Sequence, residues 1–217
     1  MSMSSLVRNR DGAVLVEVTV MLAIMLVLVL GSIDFLFAFY QWNAAAKAVA
    51  VGARIAAVSD PVASGLRNLS MAVVGPDRQP GAPMPVFTVV CDGAQATCTC
   101  TSGACPGVGA YDPAAMSTIV YGRGSSSCDD AQSFYYAGMC DVFSRITPAN
   151  VVITYSQTGL GFAGRPGGPV PTITVSLQNL PFRFFFLGGL SRFGNIPIPP
   201  LTTSITAEDL SSRAPDF

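Results

Sequence analysis

Two carboxylates, Glu17 and Asp34, stand at the margins of a charge-free apolar run, residues 18–33, with Arg8 and Arg10 just ahead of it. A charge at the centre of a membrane-spanning helix costs roughly 2.5–3.5 kcal/mol and much less near its ends, so acids placed here call for a partner or for water. Their natural chemistry is to neutralise a cation held at the same depth in a low-dielectric setting. The second reactive set is sulfur. Cys91, Cys98, Cys100, Cys105, Cys128 and Cys140 make an even number, enough for three disulfides in an oxidising compartment, with a pairing that sequence cannot choose. An all-cysteine zinc site is the competing reading, but paired C-x2-C knuckles are lacking and the chain has no histidine. Disulfides and no metal are the expectation.

The same lack of histidine removes Ser-His and Cys-His pairs, the commonest route to an activated nucleophile. Asp129 and Asp130 are adjacent acids of the kind that suit the first turn of a helix. The glycine-rich stretch 159–168 lacks the Lys-Ser/Thr ending of a phosphate-binding loop. A protein that is not an enzyme, with no cofactor, is the reading these residues favour.

The elements that must carry these groups begin with a helix. Residues 18–39 would cover roughly 33 Å at about 1.5 Å per residue, close to the hydrocarbon thickness of a bilayer. A cleaved secretory signal fits less well, since its apolar part usually runs about 7–15 residues. Arg8 and Arg10 precede the span and no Lys or Arg follows it until Lys47, which puts the amino terminus in the cytoplasm and exports the rest. Phe37, Phe39, Tyr40 and Trp42 crowd the far end, where amphipathic rings favour the headgroup region. Charged residues are only 12% of the chain, which suits a membrane stem, and a net charge of −1 gives a nucleic-acid partner nothing to rest on.

Beyond the span, residues 41–58 hold no proline and much alanine, the best helix former. Asn43, Lys47 and Arg54 fall on one arc, with Ala45, Ala48, Val49, Gly52 and Ala56 opposite, so the stem leaves the membrane as an amphipathic helix. Ser59-Asp60-Pro61 should end it. Strand patterns occupy 86–90, 151–155, 172–177, 182–187 and 201–206, with 159–171 a Gly/Pro loop. The stretch 91–128 reads as a stapled loop and 127–146 as a second helix. Phe184-Phe185-Phe186 reads as part of a buried strand, with an exposed interaction patch as the alternative. The fold class is α+β: a long amino-terminal transmembrane and amphipathic helix leading into a small antiparallel-sheet domain with a second helix and a disulfide-bearing loop. The expected division is a basic leader 1–12, a stem 13–58, and an exported domain 59–217 with a cysteine-bearing insertion 91–140.

Gly12 with Glu17 five positions later, the apolar run, Gly31-Ser32-Ile33-Asp34-Phe35, the alanine-rich 43–50 and Gly52-Ala53-Arg54 together resemble a TadE-like protein of the tight-adherence pilus system. The later strand patterns are similar to that family's carboxyl-terminal strands. The chain departs from the pattern at Val18, where an aromatic is common, and in its cysteine-bearing stretch. The resemblance implies a prepilin-like precursor cut by a membrane aspartyl prepilin peptidase between Gly12 and Ala13, which makes Glu17 the fifth residue of the mature chain. Cutting creates an ammonium at Ala13 that Glu17 of an adjacent helix would neutralise, setting subunit register.

For Asp34 a solvated acid and a pairing with a basic group of a partner helix both stay open. The implied function is that of a minor pilin or pseudopilin in assembly or anchoring of a Flp-type adhesive pilus. The partners would be the inner membrane, the peptidase, other pilin-like subunits and the assembly machinery, with the carboxyl-terminal domain periplasmic or extracellular. The other function is a permanently anchored single-pass envelope protein whose disulfide-stapled domain binds a partner or ligand.

Overall fold

The computed structural model describes residues 10–128, 137–186, 188, 196–207 and 210–211. Its first element, helix α1 (Arg10–Ala57), is 48 residues long. The absence of proline lets it run unbroken, and it stops just ahead of Ser59-Asp60-Pro61, where the pre-proline residue resists the α conformation. Inside the apolar stretch the Thr19 hydroxyl donates back to the Val16 carbonyl and that of Ser32 to Leu28 and Val29, so these polar groups are satisfied within the helix. Residues 12–57 of α1 form the one helix among the described residues long and apolar enough to cross a membrane. Side chains 12–29 are exposed on every side of it, as a surface solvated by lipid would be.

Two compact units divide the chain: residues 1–41 with 181–196, and residues 42–180 with 197–217. The first contains the apolar part of α1 and the short segment 181–186.

The second contains the sheet. Five antiparallel strands, β1 (Phe87–Asp92), β2 (Thr97–Gly103), β3 (Val151–Ser156), β4 (Thr172–Leu177) and β5 (Thr202–Thr206), lie in the order β2-β1-β3-β4-β5. Strict alternation in β1, β3 and β4 buries Phe87, Val89 and Cys91, then Val151, Ile153 and Tyr155, then Ile173, Val175 and Leu177. A period of two therefore puts one face of the sheet into the core, as the sequence pattern implies.

In the same unit the amphipathic end of α1 buries Ala45, Ala48, Val49, Gly52 and Ala56 and exposes Asn43, Lys47 and Arg54, the two arcs read from the sequence. Small residues allow close approach. A Cβ added at Gly52 would lie 2.5 Å from Sδ and 2.7 Å from Cγ of Met139. Met139 opens the one-turn helix α4 (Met139–Val142); helices α2 (Leu69–Ala72) and α3 (Pro113–Tyr121) precede it, with 3-10 turns at Leu66–Asn68 and Pro148–Asn150.

Three expectations need correction. The stretch 91–128 is more than a stapled loop: Cys98 and Cys100 lie in β2, where Cys98 sits directly opposite Cys91 of β1. Alternating threonines suit a pleated edge once β1 supplies the hydrogen bonds, which local Gly/Ser content does not reveal. Helix α3 also lies there, capped by the Asp112 carboxylate, which accepts from the N–H groups of Ala114 and Ala115, and opened by Pro113 at its first position.

A second helix over 127–146 shrinks to Met139–Val142 among the described residues; 129–136, with Asp129 and Asp130, lie outside them. Gly138 breaks the helical period. It is extended, its N–H donates to the Asp141 carboxylate at 2.6 Å, and a Cβ on it would run into the main chain of residues 120–122.

Residues 182–186 form no strand, and Phe185 and Phe186 are exposed rather than buried. Their N–H groups take a partner that is not a neighbouring strand. Leu187 lies outside the described residues.

Candidate functional site

The amino-terminal cluster sits on α1. Gly12 is open on all sides, with nothing within 4 Å of where its Cβ would be. Glu17 is exposed one turn on from Ala13, on the same helix face, and opens onto an apolar strip made by Val18, Met21, Leu22 and Met25. A lone acid on a strip of aliphatic and thioether side chains is suited to contact with another apolar helix that brings a cation.

Asp34 has an arrangement the sequence did not offer. Its side chain is fully buried, and its two oxygens accept main-chain N–H groups of the distant segment: Oδ1 from Phe185 and Oδ2 from Phe186, each at 2.9 Å. Seven positions further along α1, the buried Gln41 amide clasps one residue of the same segment at both ends. Its Nε2 donates to the Arg183 carbonyl at 2.8 Å and its Oε1 accepts the Arg183 N–H at 3.0 Å. Between them Phe37 meets Phe185, ring centroids 4.6 Å apart.

Positions 34, 37 and 41 share one face of a helix. The segment thus runs antiparallel to α1 along about 10 Å of its length. Hydrogen bonds to a charged acceptor contribute about 1.5–3 kcal/mol each, so Asp34 is a strong clamp. Gln41 was not singled out from sequence. The available signal was its lone amide one heptad beyond Asp34 in an otherwise apolar and aromatic stretch.

The six cysteines pair as Cys91–Cys98, Cys100–Cys105 and Cys128–Cys140. The first joins adjacent strands, the second closes the end of β2, and the third ties α4 to the stretch after α3. This pairing uses every thiolate an all-cysteine zinc site would need. Among the described residues no group of three His, Cys, Asp or Glu side chains is placed to hold a metal.

Near the β1–β2 turn, Asp92 accepts from the Ala94 N–H at 2.8 Å and from the Gln178 amide at 2.7 Å. Burial pushes the nearby Tyr111 hydroxyl above its ordinary range, and the Asp92 and Asp112 carboxylates add to the rise. These contacts close turns and cap a helix; they gather no nucleophile with a base.

Residues 12–54 match the family model described as TadE-like protein, which bears out the resemblance over that span. The match covers Gly12, Glu17, Asp34 and Gln41 and ends inside α1, short of the sheet. No curated protein and no solved structure matches the chain. A TadE-like segment points to involvement in the tight-adherence pilus, and the apolar helix that carries it suits a membrane anchor.

Proposed function

We propose that this chain, given its TadE-like amino-terminal segment, is a minor pilin or pseudopilin that takes part in assembling or anchoring a tight-adherence pilus. In this reading the precursor is inserted in the bacterial inner membrane with its amino terminus cytoplasmic, and the sheet-bearing unit faces the periplasm or exterior. A prepilin peptidase then cuts between Gly12 and Ala13. The observation that carries it is the family match beginning at Gly12 and running along α1 to Arg54.

Cutting releases an ammonium at Ala13. Two opposite unit charges about 4 Å apart attract by roughly 4 kcal/mol at an effective dielectric of 20, enough to fix the depth at which neighbouring helices stop sliding. Exposure of Glu17 on an apolar strip leaves it able to meet that terminus on an adjacent subunit.

Amino-terminal sequencing of membrane-extracted protein, with and without the peptidase, tests the reading. The expected mature chain begins at Ala13 and depends on the peptidase. Gly12→Ala should block maturation, because the site needs the smallest residue there. A chain that keeps its leader while pili form normally would favour a permanently anchored envelope protein instead.

A further inference from the structure

Asp34 and Gln41 both lie on α1 and both direct their hydrogen bonds to main-chain groups of residues 183, 185 and 186. Position 34 falls within the span 18–39 that the sequence places in the bilayer, so whatever it binds shares its depth. Irregular backbone survives at membrane depth only where its N–H and C=O groups are satisfied, each orphan costing several kcal/mol. A carboxylate taking two N–H groups and an amide taking both main-chain groups of one residue meet that requirement for four of the segment's main-chain groups.

The segment's side chains meet the other half of it. Phe185 is 67% exposed and Phe186 45%, and Phe35, Leu36, Phe39 and Tyr40 on the same stretch of α1 are likewise exposed. Apolar patches of this kind are uncommon on surfaces facing water. We propose that residues 182–186 are a re-entrant strap that enters the membrane beside α1, and that lipid acyl chains surround Phe185 and Phe186.

Two observations favour lipid over a second copy as the occupant. Exposure runs right round α1 over residues 12–29 instead of forming a single stripe, so the strap adds to a surface without a preferred face. The exposed Arg183 sits at the level of Gln41, towards the water, while the phenylalanines sit at the level of Asp34. A guanidinium at that end can reach lipid phosphates with its stem along apolar surface. The order of side chains along the strap therefore matches the order of polarity across a leaflet. The inference rests on α1 crossing a bilayer and is independent of any role in a pilus.

The test is tryptophan depth in the full chain. Trp42→Phe with Phe185→Trp gives a single reporter, read after reconstitution into phosphatidylcholine and phosphatidylglycerol vesicles carrying brominated phosphatidylcholine. Leu28→Trp in the same background marks the deep region, and the unaltered Trp42 marks the shallow one. The expected result is blue-shifted emission quenched by bromine, at a depth between the two references. Phe186→Trp should behave alike, giving a second reading where the first variant folds poorly.

Quenching by aqueous acrylamide with none by bromolipid would overturn the proposal. Resistance to both quenchers, relieved by diluting protein in lipid, would overturn it in favour of a second copy. Adding Asp34→Ala to the Phe185 reporter should red-shift its emission and abolish bromolipid quenching while leaving the Leu28 reporter unchanged. Unchanged quenching at Phe185 would sink the assigned role of the carboxylate.

Discussion

The Tyr155 hydroxyl oxygen accepts the main-chain N–H of Val62 at 3.0 Å, tying the centre of the sheet to the segment that follows the stem helix. Both residues are fully buried. Burial raises the Tyr155 hydroxyl well above its ordinary value of 10.0, and the Val62 N–H only partly offsets this.

A value raised in the folded state means stability is fully present below the unfolded value and falls as pH climbs past about 10, by about 1.4 kcal/mol per unit. Tyr155→Phe leaves the Val62 N–H unpaired, at a cost of about 1–3 kcal/mol near neutral pH, yet should lessen the alkaline decline. Urea unfolding in detergent at several pH values measures both effects. An alkaline slope identical to that of the parent would remove Tyr155 as its source.

Gln41 supplies the strap's outer clamp, and Arg183 is a trypsin site. Gln41→Leu deletes both partners of the Arg183 main chain, each worth about 1–3 kcal/mol when left unmet in a buried setting. Cleavage after Arg183 should become faster by at least an order of magnitude in detergent-solubilised protein. Equal cleavage rates in parent and variant would show that the amide holds nothing.

Gly52 lets the stem helix approach Met139. In isolation glycine inside a helix is unfavourable by about 1 kcal/mol relative to alanine, so a larger residue would ordinarily help. Here a Cβ meets Cγ and Sδ of a fully buried methionine, which has little room to withdraw. Gly52→Val should destabilise the sheet-bearing unit by about 1–3 kcal/mol from overpacking. Gly52→Val with Met139→Ala should recover part of that loss, and thermal melts of the two variants make the comparison.

The disulfides close loops of different length, with sequence separations of 7, 5 and 12. Chain-entropy reasoning assigns the largest contribution, about 3 kcal/mol, to the longest loop and about 2 kcal/mol to each of the others. Replacing Cys128 and Cys140 together by serine should therefore lower the Tm most. A larger drop for the Cys100 and Cys105 pair would contradict that order.

How much of this was legible beforehand varies with the range of the forces involved. The long helix, its amphipathic continuation and its stop before Pro61 were readable because a helix closes its own hydrogen bonds between near neighbours, so composition and period suffice. Strands β3, β4 and β5 were readable from alternation and β-branched content. β2 was not, because its hydrogen bonds come from β1 and its face is exposed, so no apolar period marks it. Helix α3 left a clear local sign in Asp112-Pro113, a capping residue followed by a proline at the first helical position.

The amino-acid sequence by itself determined the membrane-length helix, the place of Glu17 five positions after Gly12, and the even set of cysteines. Tertiary structure decided which cysteines pair, that residues 182–186 form no strand, and that the Asp34 carboxylate takes the main-chain N–H groups of Phe185 and Phe186. The cysteines lie close in sequence, but six equivalent thiols leave their pairing to the fold. The Asp34 contacts join residues 151 and 152 positions apart, and their donors are backbone groups that every residue carries, so residue type cannot announce which of them a buried carboxylate will find.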